Sequence, residues 1–337
     1  MICMKKRRML KALTMVLICI FMVSACKKNV GTPEDNAVAS EPEESAPEEK
    51  DTYVFGFTGI DMENPYFITL ESAVRESVEN AGYTMITKDP ASDPELQKTQ
   101  IQELIDEGID AIFLCPVDWE AITESLEALK EADVKIINVD TQVKEMDYVD
   151  AYIGSDNHEA GYICGEDLIM KCPDGGKIAI LECPTQNSIN ERITGFEEAI
   201  ARAEKGFEVV ARSDTNGEFE KALEAAETIV KEHSDVVAIM CGNDQLAVAA
   251  KTAVNLAELK QVIIYGVDGS PDIKKELKKA DGQIAGTAAQ SPISLGKTAA
   301  KVAMDMLNEK EFERETYEEV FMINKDNVDM YGVDGWQ

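Results

Sequence analysis

Short apolar runs alternate with amphipathic helical segments along almost the whole chain from residue 52 onward. The runs are rich in β-branched residues, as in YVFGFTG at 53–59 and VVAIMC at 236–241. Continuous apolar strands separated by helices are typical of a parallel sheet that helices cover on both faces. The alternation restarts with KIAILEC at 177–183, after a helical segment around 159–171. The sequence therefore predicts an α/β fold with two similar doubly wound lobes.

Proline marks the start of four predicted helices. Proline suits the first helical position because it has no amide hydrogen to leave unpaired there, and Asn, Asp or Ser before it can cap the helix. The four pairs are Asn64-Pro65, Asp93-Pro94, Ser270-Pro271 and Ser291-Pro292.

The charge of the chain is unevenly distributed. Of 33 basic residues, five precede Cys26, whereas none of the 64 acidic residues does, and the net charge is −31. The part after Cys26 is therefore even more acidic than the whole. Such a surface repels phosphate backbones and anionic headgroups, so we expect no nucleic acid as a partner.

The amino-terminal segment predicts export. Basic residues precede an apolar stretch at 12–23, which is shorter than the roughly 20 residues of a transmembrane helix and fits a secretory signal peptide. The sequence VSAC at 23–26 resembles the lipobox of bacterial lipoproteins. That resemblance implies a lipoprotein signal peptide at 1–25 and lipidation of Cys26, which anchors without spanning. An ordinary signal peptide with a chance cysteine is the alternative.

A tether is expected between the anchor and the folded part. Residues 26–51 are poor in large apolar side chains and rich in Glu, Pro, Ala and Ser. Such a segment cannot bury enough apolar surface to order itself, which predicts an acidic disordered tether.

Cysteine and histidine usage offers little for a metal or a disulfide framework. Five cysteines follow Cys26, an odd number, and no C-x-x-C pair or calcium-loop motif is present. With two histidines in the chain, we expect no metal site and no cofactor. We expect mostly structural thiols, and one bridge, Cys172–Cys183, stays open. The five are Cys115, Cys164, Cys172, Cys183 and Cys241.

Polar side chains follow five of the predicted strands. In open α/β sheets, ligands bind outside the carboxyl ends of the strands. Asp and Asn also form turns and caps there, so a single such residue indicates little. Five at equivalent places in two sheets predict a shared cleft. They are Asp61 or Asn64, Asp140, Asn243, Asp268 and Gln290.

The chemistry of these groups suits a polyhydroxylated ligand. A carboxylate accepts hydroxyl protons, and a carboxamide both donates and accepts. Tyr66 and Phe67 can offer a flat apolar face to the C–H side of a sugar ring, or pack beneath the first helix instead.

The segments NPYF, NVD, NDQLAVAA, GVDGSPD and TAAQSPISLG, in this order, resemble the ribose-binding type of bacterial solute-binding proteins of ABC transporters. The resemblance covers residues 52–328. It implies the type I periplasmic binding protein fold, in which a three-strand hinge joins the lobes, and closure on a monosaccharide-like ligand. By order of motifs, the crossovers fall near Ser155–Asp156, Gln290–Ser291 and Ile323–Asn324. The lobes are then 52–155 with 291–323, and 156–290 with 324–337.

The same resemblance implies a set of ligand contacts and some departures from it. Thr141 and Asn190 stand where the ribose binders have arginines, and become candidate contacts for that reason. Val267 and the region of Gly217 stand where they have stacking aromatics. These changes argue against ribose itself and against an anionic sugar. The implied contacts that match are Asn64, Tyr66, Phe67, Asp140, Asn243, Asp268 and Gln290.

The sequence lacks the motifs that other functions of an α/β protein would require. No dinucleotide turn, Walker lysine, G-x-S-x-G elbow or nucleophile–histidine pair is present, so we expect no enzyme. A transcription regulator of this fold needs a helix-turn-helix where this chain has an export signal. The sequence predicts a monomeric, extracytoplasmic, lipid-anchored protein that binds a neutral sugar or polyol for an ABC permease. Service to a sensor kinase or chemoreceptor, and a nucleoside or signalling molecule as ligand, stay open.

Overall fold

The computed structural model describes residues 52–337. The predicted signal peptide, the lipidation site Cys26 and the tether lie outside the described residues. Among the helices of residues 52–337, none combines the length and the apolar character needed to cross a membrane.

The first lobe is built on a six-stranded sheet in which every pair is parallel. Its order is β11–β5–β4–β3–β1–β2, with β1 (Val54–Thr58), β2 (Thr84–Lys88), β3 (Ala111–Leu114), β4 (Lys135–Val139), β5 (Ala151–Ser155) and β11 (Glu315–Glu318).

The second lobe repeats this order with one antiparallel edge strand. The sheet runs β12–β10–β9–β8–β6–β7, and β12 pairs antiparallel with β10. The order β10–β9–β8–β6–β7 matches β5–β4–β3–β1–β2 strand for strand, so the two lobes share one topology. The strands are β6 (Gly176–Glu182), β7 (Phe207–Asp214), β8 (Val236–Cys241), β9 (Ile263–Asp268), β10 (Ile284–Ala289) and β12 (Phe321–Asn324).

Helices cover both faces of each sheet, which confirms the doubly wound fold. The four proline-led helix starts are confirmed as well, since each proline lies in a first turn and the residue before it caps the helix. The helices are α1 (Pro65–Asn80), α2 (Pro94–Asp106), α3 (Thr123–Glu131), α4 (Asn157–Lys171), α5 (Asn187–Ile200), α6 (Phe219–Glu232), α7 (Asp244–Leu256), α8 (Pro271–Leu277), α9 (Pro292–Leu307) and α10 (Val328–Tyr331).

Each sheet separates two apolar layers. In the first lobe, one layer contains α1 and α9, and the other contains α2 and α3. In the second lobe, α4 and α5 cover one face, and α6, α7 and α8 cover the other. Helix α9 belongs to the first lobe although it follows β6 to β10 of the second. At Gly296 a Cβ would lie 2.7 Å from the Cβ of Ala73, so the absence of a side chain lets α9 approach α1 closely.

The chain passes between the sheets three times. It leaves the first after β5, returns between β10 and α9, and crosses again between β11 and β12. The predicted third crossover at Ile323–Asn324 is wrong, because Phe321–Asn324 already pairs with Gly286–Ala289 of the second sheet. The crossover therefore lies between Glu318 and Phe321. Strand β11 escaped prediction because ETYE is a polar edge strand without an apolar run.

The thiols of the described residues are unpaired. Cys115, Cys164, Cys172, Cys183 and Cys241 are all free, so no bridge joins Cys172 to Cys183. Within residues 52–337, no group of three or more His, Cys, Asp or Glu side chains could hold a metal ion.

Candidate functional site

A cavity lies between the lobes at the carboxyl ends of both sheets. Six of the nine residues predicted to contact a ligand line it, four from the first lobe and two from the second. The cavity volume is about 30 Å³, which is room for little more than one water molecule, so a sugar can enter only when the lobes separate. The six residues are Asn64, Tyr66, Phe67, Asp140, Asn243 and Asp268.

Two aspartates occupy equivalent places in the two lobes. Asp140 directly follows β4, the fourth strand of the first lobe, and Asp268 ends β9, the fourth strand of the second. Both are buried and both have positive φ, +70° and +138°. Such backbone angles cost about 1–3 kcal/mol in a residue other than glycine and persist only where the surroundings hold them, as they often do at binding sites.

Each of these carboxylates already has a donor from its own surroundings. The Tyr66 hydroxyl donates to Oδ1 of Asp140 at 2.8 Å. The Gln290 amide Nε2 donates to Oδ1 of Asp268 at 2.8 Å. The second oxygen of each carboxylate makes no hydrogen bond within residues 52–337, so it is available to accept from a ligand hydroxyl.

Burial makes these carboxyls reluctant to ionise. Burial raises the pKa of Asp268 to about 8; the Arg192 charge opposes this rise, and the neighbouring Asp244 adds to it. Burial also raises the pKa of Asp140, against which Arg192 and the Tyr66 hydrogen bond act. Asp244 lies behind the cavity, and its carboxylate accepts from the Ser270 amide and the Thr287 hydroxyl, both at 2.7 Å.

Arg192 is the functional residue that sequence reasoning missed. It is buried on α5 and lines the cavity. Its Nε donates to Asn157 Oδ1 and its Nη1 to Gly242 O, both at 2.8 Å, while Nη1 lies 3.9 Å from Asp268 Oδ1. The guanidinium therefore offsets the buried aspartates and is not a free fork for an anion. The sequence did offer a signal for it. Arg192 lies at helical spacing among the apolar residues Ile189, Ile193 and Phe196, which indicates a charged side chain on a buried helix face.

Helices α4 and α5 place Arg192 by packing backbone against backbone. A Cβ at Gly161 would lie 1.7 Å from Arg192 O, and a Cβ at Gly195 would lie 2.0 Å from His158 O. Both contacts are far inside the distances that real side chains adopt. The two glycines thus let α5 lie close enough to α4 for Arg192 to reach Asn157.

Asn64 and Asn243 combine capping with access to the cavity. The Asn64 side-chain oxygen accepts from the Tyr66 amide, and that of Asn243 accepts from the Leu246 amide, both at 3.0 Å. Each oxygen caps a helix, α1 or α7. The NH₂ groups make no hydrogen bond among the described residues, so they are the donors left for a ligand.

Comparison with known proteins identifies the family. The family model described as "Periplasmic binding protein domain" matches residues 55–311. The chain belongs to this family.

Individual members of the periplasmic binding protein family give the same result over most of the chain. The ribose import binding protein RbsB of Bacillus subtilis is 27% identical over 308 residues, 91% of this chain and 96% of its own. RbsB of Salmonella typhimurium is 30% identical over 247 residues, 73% of this chain and 82% of its own.

Solved structures agree on the fold. An ABC transporter periplasmic solute binding protein from Actinobacillus succinogenes with bound D-allose has a TM-score of 0.75 and 25% identity, covering 83% of this chain and 100% of that one. One from Bacillus halodurans with bound myo-inositol has a TM-score of 0.78 at 22% identity, covering 85% and 99%. This chain is thus a ribose-type solute-binding protein of the ABC sugar importers, extracytoplasmic and without enzymatic activity.

Three of the predicted contacts lie outside the cavity of this binding protein. Gln290 is buried behind Asp268, and its Oε1 is buried without a hydrogen-bond partner in the described part of the chain. Thr141 Oγ1 accepts from the Ser188 amide at 2.9 Å, a bond between the two lobes. Asn190 donates to Pro184 O at 2.9 Å. Gln290 therefore supports Asp268, Thr141 joins the lobes through Ser188, which lines the cavity, and Asn190 holds a backbone carbonyl of its own lobe.

Gly217 and Val267 stand where the ribose binders have stacking aromatics. The first has polar neighbours in the cavity, and the second is buried. Gly217 lines the cavity, and so do the side-chain amides of its neighbours Asn216 and Gln186. A Cβ at Gly217 would lie 2.8 Å from Gln186 Nε2. Val267 is fully buried in the layer of α4 and α5. This wall of the cavity therefore offers hydrogen bonds rather than a ring to stack on.

Proposed function

We propose that this protein is a lipid-anchored solute-binding protein that captures a small neutral sugar or polyol between its lobes and presents it to an ABC permease. The observation that carries the proposal is the pair Asp140 and Asp268. They face one cavity from opposite lobes, each with one free carboxylate oxygen. A ligand hydroxyl on each side would join the lobes, so that binding favours closure.

The charge of the cavity supports a neutral ligand. Arg192 is the cation that lines it, and its Nε and Nη1 already donate to Asn157 and Gly242. An anionic ligand would meet three carboxyl groups, Asp61, Asp140 and Asp268, and one guanidinium of which Nη2 alone makes no hydrogen bond within residues 52–337. Hydroxyl groups suit the free carboxylate oxygens and the NH₂ groups of Asn64 and Asn243.

A thermal-shift screen of residues 51–337 tests the ligand class. The panel contains pentoses, hexoses, deoxysugars, cyclitols and nucleosides. A ligand at 100 times its dissociation constant stabilises a folded protein by about 2.7 kcal/mol, which is a shift of several degrees. No shift with any member, for a protein shown to be folded and free of copurified ligand, contradicts the proposal.

Variants test the site itself. Asp140→Asn and Asp268→Asn keep the shape and replace one carboxylate oxygen by an NH₂ group. Each should weaken binding about 30-fold, or about 2 kcal/mol, in a calorimetric titration at pH 9, above the pKa of about 8 of Asp268. Asp326→Asn changes the same charge at an exposed position and should leave the dissociation constant unchanged. Unchanged affinity in both cavity variants would overturn the site.

The anchor is tested on the full chain expressed in a bacterium. Mass spectrometry should find an acylated amino-terminal peptide that begins at Cys26, and Cys26→Ala should release the protein from membranes. A mature terminus at another residue contradicts the anchor. Light scattering on residues 51–337 should give the mass of a monomer.

A further inference from the structure

A second cavity adjoins the one between the aspartates. Its volume is about 260 Å³, and the two cavities share Asn64, Gln245 and Asp268 as lining residues. These three side chains therefore lie at the boundary between the two cavities. We refer to the larger cavity as the annex.

The lining of the annex differs in chemistry from the cavity between the aspartates. Apolar side chains from both lobes form one part of its wall, namely Pro65, Phe219, Val248, Pro271 and Trp336. Polar side chains form the rest, namely Asn64, Asp244, Gln245, Asp268, Ser270 and Asp272. A free monosaccharide carries hydroxyl groups around its ring and would leave those that face the apolar side chains unpaired. A flat apolar group gains both burial and ring contacts there.

Trp336 reaches the annex from a segment that both lobes hold in place. The Lys274 ammonium donates to Gly335 O, Gln337 Nε2 donates to Gly269 O at 3.3 Å, and the Ser291 hydroxyl donates to Gln337 O. These bonds fix the backbone on either side of the indole. The wall of the annex is therefore a positioned part of the fold.

The indole also touches the proposed sugar site. Its ring meets that of Tyr66 edge to face, with centroids 5.8 Å apart and an interplanar angle of 73°. Tyr66 in turn donates to Asp140. A ligand with its sugar between the aspartates would thus place a substituent toward Trp336 without leaving the cleft.

We propose that the annex receives an aromatic substituent, so that the ligand is a sugar bonded to a flat ring, as in an aryl glycoside or a nucleoside. The inference rests on the proposed function, since the sugar part binds between Asp140 and Asp268. Two contributions then determine the affinity: hydrogen bonds to the sugar and apolar contacts with the aromatic ring.

Matched pairs of ligands test this by calorimetric titration. D-ribose is compared with adenosine and uridine, and D-glucose, D-galactose and D-allose are compared with their phenyl glycosides in both anomers. The preferred conjugate should bind at least about 10-fold more tightly than its own free sugar. Trp336→Ala should abolish this difference and change the affinity for the free sugar less than about 3-fold.

A second variant tests the annex without removing Trp336. Val248→Phe fills the annex from α7 and should weaken the conjugate without weakening the free sugar. Phe312→Ala removes an aromatic side chain that is 38% exposed and lies outside both cavities, and it should change neither.

The outcomes separate the two proposals. Equal affinity of wild-type protein for sugars and conjugates would overturn the annex and leave the sugar site standing. Loss of free-sugar binding in folded Trp336→Ala would also overturn it, because the indole would then act on the sugar site. Failure of every sugar and every conjugate to bind would overturn the proposed function, and the annex with it.

Discussion

The Tyr66 hydroxyl, on the first turn of α1, donates to Oδ1 of Asp140 at the end of β4, 2.8 Å away. Both side chains are buried, and burial, followed by the charge of Asp140, raises the pKa of Tyr66 well above its usual value. Tyr66 is therefore a donor to the carboxylate as well as a flat face. A ligand hydroxyl meets an aspartate that Tyr66 has already oriented.

Tyr66→Phe should destabilise the protein by about 1–3 kcal/mol near pH 8, because it leaves a buried carboxylate oxygen without its donor. Removing the donor raises the pKa of Asp140 further, so the loss should shrink toward pH 5, where the carboxyl is more protonated. Urea unfolding at both pH values measures it. Tyr53→Phe, which removes a bond to a backbone carbonyl at Leu307, is the control and should show no such pH dependence. Equal behaviour of the two variants would count against the Tyr66–Asp140 bond.

The free energy of unfolding of Asp268→Asn, measured relative to that of the wild type, should increase as the pH rises. Burial raises the pKa of Asp268 in the folded protein to about 8, whereas an unfolded Asp titrates near 4. Between these values the folded state holds the extra proton, so this group favours folding at low pH, and that contribution is lost as the pH rises toward 8. The free energy of unfolding, measured at pH 5, 6.5 and 8, should show the variant gaining on wild type throughout. A constant difference across the three values would contradict the raised pKa.

Arg192→Ala should cost about 3–5 kcal/mol of unfolding free energy at pH 8, because it removes the cation beside the buried Asp140 and Asp268. Protonation of those carboxyls should reduce the loss at pH 5. Arg212→Ala provides the comparison, since its ion pairs with Glu182 and Glu197 lie at the surface and should contribute under about 1 kcal/mol. Similar losses for the two arginines would show that Arg192 does not offset the aspartates.

Gly195→Ala should destabilise the protein by about 1–3 kcal/mol, because the new methyl would force α5 away from His158 O on α4. It should also weaken sugar binding, since Arg192 moves with α5. Thr194→Ala, one residue earlier and exposed, is the matched control and should do neither. Chemical unfolding and a titration with the sugar found in the screen measure both effects. Wild-type stability in Gly195→Ala would mean that the helices are not held by backbone contact.

The fold could be predicted because its determinants are local. Apolar runs predict the buried strands, and proline after a capping residue predicts helix starts such as Pro65 and Pro292. Strand β11 could not be predicted in this way, because an edge strand with half-exposed polar residues needs no apolar run. The third crossover was placed by the order of the family's motifs, and it fell within β12 because no such motif marks β11.

Site residues could be predicted from the sequence where they directly follow a strand, and could not be predicted elsewhere. Asp140 and Asp268 come directly after apolar runs, which placed them at the cleft, where the structure puts them. Arg192 lies inside a helix, and its place depends on how closely α4 and α5 approach. Trp336 lies far along the chain from Tyr66, and no local pattern joins them. Gln290 and Thr141 follow strands too, but neither lines the cavity, because Gln290 bonds to Asp268 and Thr141 bonds to the Ser188 amide of the other lobe.

The position of α9 has a consequence for the order in which the protein takes shape during its synthesis. The side of α1 that packs against α9 stays uncovered until residues 292–307 exist, although β1 to β5 are finished by residue 155. At about 5–20 residues per second, the intervening segment takes roughly 7–30 s to synthesise. Contacts so distant along the chain also form slowly. The first lobe therefore completes its core only after β6 to β10 of the second lobe have been synthesised.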